Sequence, residues 1–474
     1  MVSFSSFLYF AEWTVRAIAL FVVVRKRRPT AALAWLVLIY FQPWIGLLFY
    51  LLVGRNRLPR RRTKQYAQLV KRLGHLKRQF DQHANVVHPE LGAQCTAAIT
   101  LAERFGSMPI LDGNSVTLMS DTNEVIDRLI SDIGDAKEHI HLLFFIFRSD
   151  CTGRRVADAL KQAARRGVKC RLLLDAVGSR DTLESIGHEL RRAGVEVFDD
   201  LPVGFIRRRA SRIDLRNHRK IAVIDGIIAY TGSQNVVDDN YGHKDLVWYD
   251  LTARLKGPVV QELQTVFWED WSFRTNQLSD EQDIFPAPEP SGVVPAQVLP
   301  SGPNYPVESY QRLVVAVLYS AREQVMITTP YFVPDEPFLQ AMQVIAQRDV
   351  EVNLILPART DHPLIDLAGQ AYFDELLEAG VRIFTYQAGL LHAKTMTVDD
   401  SIAFLGSSNF DIRSFYLNFE INLLLYGQEA TRCLLERQVE YLEDSRPIRL
   451  SDWQDRSSLR RISQDVAKLF SPLL

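Results

Sequence analysis

Two stretches of the chain share a skeleton whose residue types could do chemistry. "RNHRKIAVIDGIIAYTGSQNV" (216–236) and "LLHAKTMTVDDSIAFLGSSNF" (390–410) each carry a histidine, a lysine two residues on and an aspartate five beyond that. These are His218, Lys220, Asp225 and His392, Lys394, Asp399. Glycine, serine and asparagine then follow at matching offsets, with Ser233 and Asn235 in the first copy and Ser407 and Asn409 in the second. On a strand, residues two apart share a face, so each imidazole sits beside an ammonium. A cation at that position works against a metal, and no third ligand stands at metal spacing. "HIH" (139–141) mimics a chelator, but a lone His-x-His pair on a strand is usually structural. A bound phosphate suits the pattern better: lysine supplies charge, and the serine and asparagine supply neutral donors to phosphate oxygens.

Imidazole is then the group able to attack phosphorus or move a proton near neutral pH. Displacement through a covalent intermediate needs two such groups, a nucleophile and an acid that protonates the leaving alkoxide. Duplication supplies both. Each histidine also needs a partner to fix its tautomer, and a carboxylate follows in each half: Asp250 in "WYDLTARLKGP" and Glu420 in "LNFEINLLL". A buried strand would explain one copy of the pattern, but not two with the same offsets.

The elements that must position these residues are also duplicated. "HIHLLFFIF" (139–147), "GRRVADALKQAARRGV" and "KCRLLLDAVGS" read strand, helix, strand, and "QVMITTPYF" (324–332), "PFLQAMQVIAQRDV" and "EVNLILPART" repeat the order. "ELRRAGVEVF" (189–198) likewise matches "ELLEAGVRIF" (375–384). Strand-length apolar runs alternating with helix-period segments predict two pseudo-symmetric α/β domains with mostly parallel sheets. The expected boundaries are 113–285 and 286–474, meeting at the proline-rich "PAPEPSGVVPAQVLPSGP" (286–303), after a basic, polar, helical connector over 55–112.

With 55 basic and 56 acidic residues the chain is no polycation, so any affinity for anions must be local. Four scattered cysteines without a CxxC pair suggest neither a disulfide framework nor a thiolate metal site. The N-terminus is set apart by composition. Residues 31–54 are uncharged and long enough to cross a bilayer, with Pro43 placed to kink them. Residues 4–24 are nearly as apolar but hold Glu12 and Arg16, one helical turn apart and able to pair. A signal peptide fits poorly, because no basic residue precedes the run and no small-residue cleavage site follows it. A membrane hairpin over 1–54 is expected. Arg25, Lys26, Arg27 and Arg28 fill its loop, and Arg55, Arg57, Arg60, Arg61, Arg62 and Lys64 follow it. The longer basic cluster places the main body in the cytoplasm, and a shallow, re-entrant first segment would relieve the conflict with the loop charges. Both clusters suit anionic headgroups.

On His218–Lys220–Asp225 and His392–Lys394–Asp399 the chain resembles the phospholipase D superfamily, whose signature is His-x-Lys-x4-Asp. More narrowly it is similar to bacterial cardiolipin synthases with two membrane helices, through the hairpin with its basic tail, "SGP" (301–303), "TPYFVPD" (329–335), "NFDIRSFYLNFE" (409–420) and "LFSPLL" (469–474). The resemblance implies a phosphatidyltransferase of the bacterial inner membrane that joins two phosphatidylglycerol molecules into cardiolipin and glycerol, without metal or cofactor. It also implies that His218 is the nucleophile, that His392 protonates the departing glycerol, and that Lys220 and Lys394 clamp the phosphate. Ser233, Asn235, Ser407 and Asn409 would lie beside it, and Asp225 and Asp399 belong to the signature, with structural support as one role for them. Asp250 lies 32 residues after its histidine and Glu420 only 28, which makes Asp250 the less secure orienting residue. Arg207, Arg208, Arg209 and Arg212 form an insertion in the first copy that would either guide anionic headgroups or stay a solvated loop. The competing readings are a membrane-bound hydrolase, an enzyme taking phosphatidylethanolamine as donor, a nuclease and a non-enzymatic lipid-binding scaffold. A nuclease would not need the hairpin, and no aromatic-studded basic groove is evident. A scaffold would not need the imidazoles.

Overall fold

The computed structural model describes residues 4–26, 29–52, 84–106, 108–203, 214–242, 245–275, 284–305 and 308–471. The arginine-rich insertion, the basic cluster after the second apolar run, and Arg27 and Arg28 lie outside them.

Strand His139–Phe144 is buried along its whole length, so it needs apolar cover on both faces. Ile140, Leu142 and Phe144 pack with Leu129, Val156 and Leu160, from the helices Thr122–Asp135 and Cys151–Arg165. Leu143 points the other way, into a core with Leu263 and Trp268 of helix Val259–Thr275. The second half repeats this arrangement. Val325 and Ile327 of strand Gln324–Thr328 pack with Val314 and Met342, while Met326 joins the core that holds Leu263, Trp268 and Leu434. Aspartate caps open matching helices, Asp150 bonding Gly153 N and Asp335 bonding Phe338 N.

All of this hangs on one 15-stranded sheet. From the outer edge of the second half the order is Ser445–Ile448, Arg382–Tyr386, Glu351–Pro357, Gln324–Thr328, Thr395–Val398, Ile402–Gly406, Glu420–Tyr426, Val294–Ser301. It continues into the first half as Leu111–Met119, Thr252–Lys256, Ile228–Gly232, Ile221–Ile224, His139–Phe144, Lys169–Asp175, Glu196–Asp200. Apart from the extra edge strand Ser445–Ile448, the second half mirrors the first about the seam, where Val294–Ser301 and Leu111–Met119 pair antiparallel.

The sheet is mixed, which corrects the expectation of mostly parallel sheets. Strand–helix–strand crossovers make only His139–Phe144, Lys169–Asp175 and Glu196–Asp200, and their counterparts in the second half, parallel. The strands after each histidine return through tight hairpins, Ile221–Ile224 with Ile228–Gly232 and Thr395–Val398 with Ile402–Gly406, and a hairpin can only be antiparallel.

Asp225 and Asp399 sit in those hairpin turns with left-handed backbones, φ 52° and 48°, a region aspartate tolerates. The Asp225 carboxylate accepts from the N–H groups of Lys137, Glu138 and His139, and Asp399 from those of Arg322, Glu323 and Gln324. Each thereby caps the entry to a central strand. Their grouping with the catalytic residues is corrected accordingly: their oxygens are committed to backbone amides, not to a reacting group. An Asp399→Ala variant is expected to lose about 2–3 kcal/mol of stability in chemical denaturation while keeping the wild-type pH profile of activity.

At the N-terminus, helix Phe4–Lys26 holds the Glu12–Arg16 pair at 3.2 Å. Among the described residues it contains the one segment, Ser5–Lys26, long and apolar enough to cross a membrane. The second apolar run is not one helix. It breaks between Pro29–Phe41 and Pro43–Leu52, and the second piece folds back, bringing the Tyr50 ring to 5.4 Å from Trp35. Gly46 permits this, since a Cβ there would stand 2.7 Å from Ile39 Cα. The expected hairpin is thus corrected in form. The first segment is the continuous one, and the uncharged second run is doubled over, too short in either piece to span.

Candidate active site

The two histidine segments meet at the seam between the halves, each held by main-chain bonds to the other half. His218 N donates to Phe419 O at 2.8 Å, and Phe419 N donates to Arg216 O at 2.9 Å. Leu390–Leu391 pairs in parallel with Trp248–Tyr249, and His392 N donates to Tyr249 O at 2.7 Å. The residue after each acceptor is a carboxylate, so the two carboxylates are exchanged. Nδ1 of His392 lies 2.7 Å from Oδ1 of Asp250, and Nδ1 of His218 lies 3.3 Å from Oε1 of Glu420. The shorter of these contacts belongs to Asp250, the residue whose spacing made it the less secure candidate.

The serines do not reach toward a substrate, and the expectation that they donate to phosphate oxygens is corrected. Ser233 Oγ donates to Asp250 Oδ1 at 2.6 Å and accepts from Leu251 N. Ser407 Oγ donates to Glu420 Oε2 at 2.6 Å and accepts from Ile421 N. A hydroxyl has one proton, and here a carboxylate takes it. The preceding glycine makes this possible: a Cβ at Gly232 would stand 2.2 Å from Leu251 O, and one at Gly406 2.4 Å from Ile421 O. Asn235 Oδ1 accepts from Ile146 N at 3.1 Å, and Asn409 Nδ2 donates to Asp411 Oδ2 at 3.1 Å.

Both lysines curl back on their own motif, Lys220 Nζ donating to His218 O and Lys394 Nζ to His392 O, each at 2.6 Å. The walls are aromatic. Phe145 lies 4.1 Å from the His218 ring and 5.6 Å from Lys220 Nζ, while Trp248 stands edge-on to His392 at 4.9 Å. Asn418 Nδ2 approaches both His218 Nδ1 and Glu420 Oε1 at 3.3 Å. Arg219, between the histidine and lysine of the first motif, crosses the seam to Glu420 O and Ser301 O and pairs with Asp270 of its own half.

Burial is the largest influence on the titrating groups. It drives both imidazoles below the ordinary 6.5, outweighing the raising effects of Glu420 on His218 and of Asp250 on His392. Burial lowers Lys220 to about 8 and Lys394 to about 7, although Glu420 and Asp250 pull the other way. It also opposes ionisation of the two carboxylates. Even so, His392, Lys394 and the Ser233 hydroxyl hold Asp250 down to about 2, and His218, Lys220 and Ser407 hold Glu420 below its usual range. These mutual influences place two imidazoles, two ammonium groups and two carboxylates in one electrostatic cluster. Among the described residues, no three His, Cys, Asp or Glu side chains converge as a metal site would require.

The family model described as "Cardiolipin synthase, PLD-like domain" matches residues 129–271 and 314–440, one segment over each histidine motif. The chain belongs to this family. A second model, "Phospholipase_D-nuclease N-terminal", matches residues 16–55. The chain is 36% identical to cardiolipin synthase A of Pectobacterium carotovorum subsp. carotovorum (strain PC1), with 98% of each chain covered. It is 34% identical to cardiolipin synthase A of Escherichia coli O1:K1 / APEC, covering 97% of this chain and 96% of that one. The fold is also similar to that of phosphatidylserine synthase from Haemophilus influenzae Rd KW20, with TM-score 0.57, 14% identity and coverage of 79% and 97%.

Proposed function

We propose that the protein is a cardiolipin synthase, a phosphatidyltransferase that joins two phosphatidylglycerol molecules. The observation that carries the mechanism is the exchanged pair of histidine–carboxylate contacts across the seam. Nε2 of His218 attacks phosphorus of the first lipid, and the bond to its glycerol headgroup breaks. His392 gives its Nε2 proton to the departing glycerol oxygen. A hydroxyl of the second phosphatidylglycerol then returns a proton to His392 and attacks phosphorus, and the P–N bond to His218 breaks to release cardiolipin. Support for this division comes from exposure: the His218 side chain is 21% accessible and that of His392 is 10%. The more open imidazole suits attack on a bulky diester, and the more enclosed one, tightly paired with Asp250, suits proton transfer. Lys220 and Lys394 neutralise the phosphoryl oxygens as charge develops. Anionic phospholipids as substrates, and residence in a bacterial inner membrane with the body toward the cytoplasm, complete the reading. The basic residues that flank the apolar segments support that orientation.

Purified protein given phosphatidylglycerol alone is expected to yield cardiolipin and free glycerol in equal amounts, with chelators without effect. Phosphatidic acid without cardiolipin would establish a hydrolase instead, and no turnover until phosphatidylethanolamine is added would establish a different donor.

The acidity of the site predicts a shape for kcat/KM, which reports the free enzyme. His218 must be neutral and its pKa is depressed, so the acid limb should fall below pH 6.5. His392 must be protonated and burial lowers it to about 4, while the lysines, near 8 and 7, must be charged, so kcat/KM should already decline above about pH 4 and fall more steeply from neutral pH upward. A profile flat to pH 9 would contradict this.

A further inference from the structure

The last helix, Ser458–Leu469, is amphipathic the wrong way round for a soluble protein. Ala467, packed with Val333 and Ala368, and polar side chains on either side of it hold the helix to the body. Gln464 is buried and donates to Gln370, Lys468 reaches Glu375 at 2.8 Å, and Arg456, just before the helix, pairs with Asp374. Its large apolar side chains face outward: Leu459 is 81% accessible, Ile462 58%, Val466 48%, Leu469 74%, and Phe470 after it 47%. The spacing of three, four and three residues puts them in one stripe. A surface helix normally buries such a stripe.

We infer that this stripe seats on the bilayer surface, as a second membrane contact separate from helix Phe4–Lys26. Three observations favour an anionic lipid surface as the occupant. Arg460 and Arg461, both exposed, flank the stripe, as basic residues flank the apolar face of helices that lie in a charged interface. The chain already carries a membrane-length apolar helix at its other end. A 12-residue helix is about 18 Å long, and a stripe one helix wide is far below the roughly 800 Å² per partner of a stable dimer. The helix packs on Pro363–Gln370, which follows directly on the loop where Arg359 pairs with Asp245 and Asp361 accepts from Tyr331. Seating the stripe therefore holds the body by an element close in sequence to the Arg359–Asp245 pair, which bridges the halves, and fixes how the body meets the lipid.

The test uses the full chain in vesicles of phosphatidylglycerol and phosphatidylethanolamine, with the exposed Cys151 and Cys433 replaced by serine. A nitroxide is attached at position 462, 466 or 465 in turn, since Asp465 lies off the stripe. At 462 and 466, collision with oxygen should rise and access to a water-soluble nickel complex should fall about tenfold relative to 465. Equal nickel access at all three positions overturns the inference, as does protection accompanied by coupling between labels on two copies. This readout does not depend on which lipid is made, so it stands apart from the assay of function. An Ile462→Glu, Val466→Glu variant, altered only on the outer face, should bind such vesicles less tightly and turn over vesicle lipid about tenfold more slowly. Undiminished turnover on vesicles would also count against the inference.

Discussion

A His392→Ala variant is expected to accumulate a phosphorylated histidine from phosphatidylglycerol carrying an activated leaving group, and a His218→Ala variant is not. His392→Ala should lose cardiolipin formation from the natural lipid by on the order of 10²–10⁴-fold, the range for removing a positioned acid or base, and His218→Ala at least as much, because it removes the nucleophile. The difference between them lies in the first half-reaction. An activated alcohol leaves without being protonated, so the first displacement needs only the nucleophile. Release to the second lipid still needs a base, so the adduct stays on His218 when His392 is missing. Phosphopeptide mapping reads the result directly. An adduct on His392 in the His218→Ala protein would reverse the proposed roles.

The repeat that frames this experiment was legible because it is local. Histidine, lysine, aspartate, glycine, serine and asparagine recur at fixed offsets on strand-and-hairpin segments, and a spacing of two on a strand fixes which side chains share a face. The alternation of strands and helices was readable for the same reason, and so were the two halves. What crosses the seam was not. Asp250 and Glu420 stood out as orienting carboxylates, but His392 and Asp250 are 142 positions apart, and nothing local says that the halves exchange them. The serines were misread because their partner is set by tertiary approach: Gly232 and Gly406 let the neighbouring strand come so close that each hydroxyl meets a carboxylate first. Phe145 and Trp248, the walls of the site, left no signal, since a lone aromatic has no spacing to betray it. Asn418 and the Ser414 that bonds Glu420 lay inside the quoted "NFDIRSFYLNFE", yet only the fold gives them their contacts. In the N-terminal segment, counting uncharged residues measured length but could not show that Gly46 lets the chain double back on Ile39.

The exchange of carboxylates makes the second large prediction, because a change in one half should disable the histidine of the other. Asp250→Asn keeps size and most hydrogen bonds, but its amide no longer fixes the Nδ1–H tautomer of His392 or stabilises the imidazolium. The comparable change in a serine-protease triad costs about 10⁴-fold in kcat. A similar loss is expected here, with the phenotype of His392→Ala: the adduct forms on His218 from an activated donor and then persists. Glu420→Gln should instead behave as His218→Ala does, slowing adduct formation itself, with a smaller loss because its contact to His218 is 3.3 Å against 2.7 Å on the other side. Arg219 tightens the same argument, since its guanidinium bonds Glu420 O and Ser301 O, so the seam has little freedom to rearrange around either change. If Asp250→Asn blocked the first half-reaction and left the second intact, each carboxylate would be serving the histidine of its own half, and the exchanged contacts would not be those used in turnover.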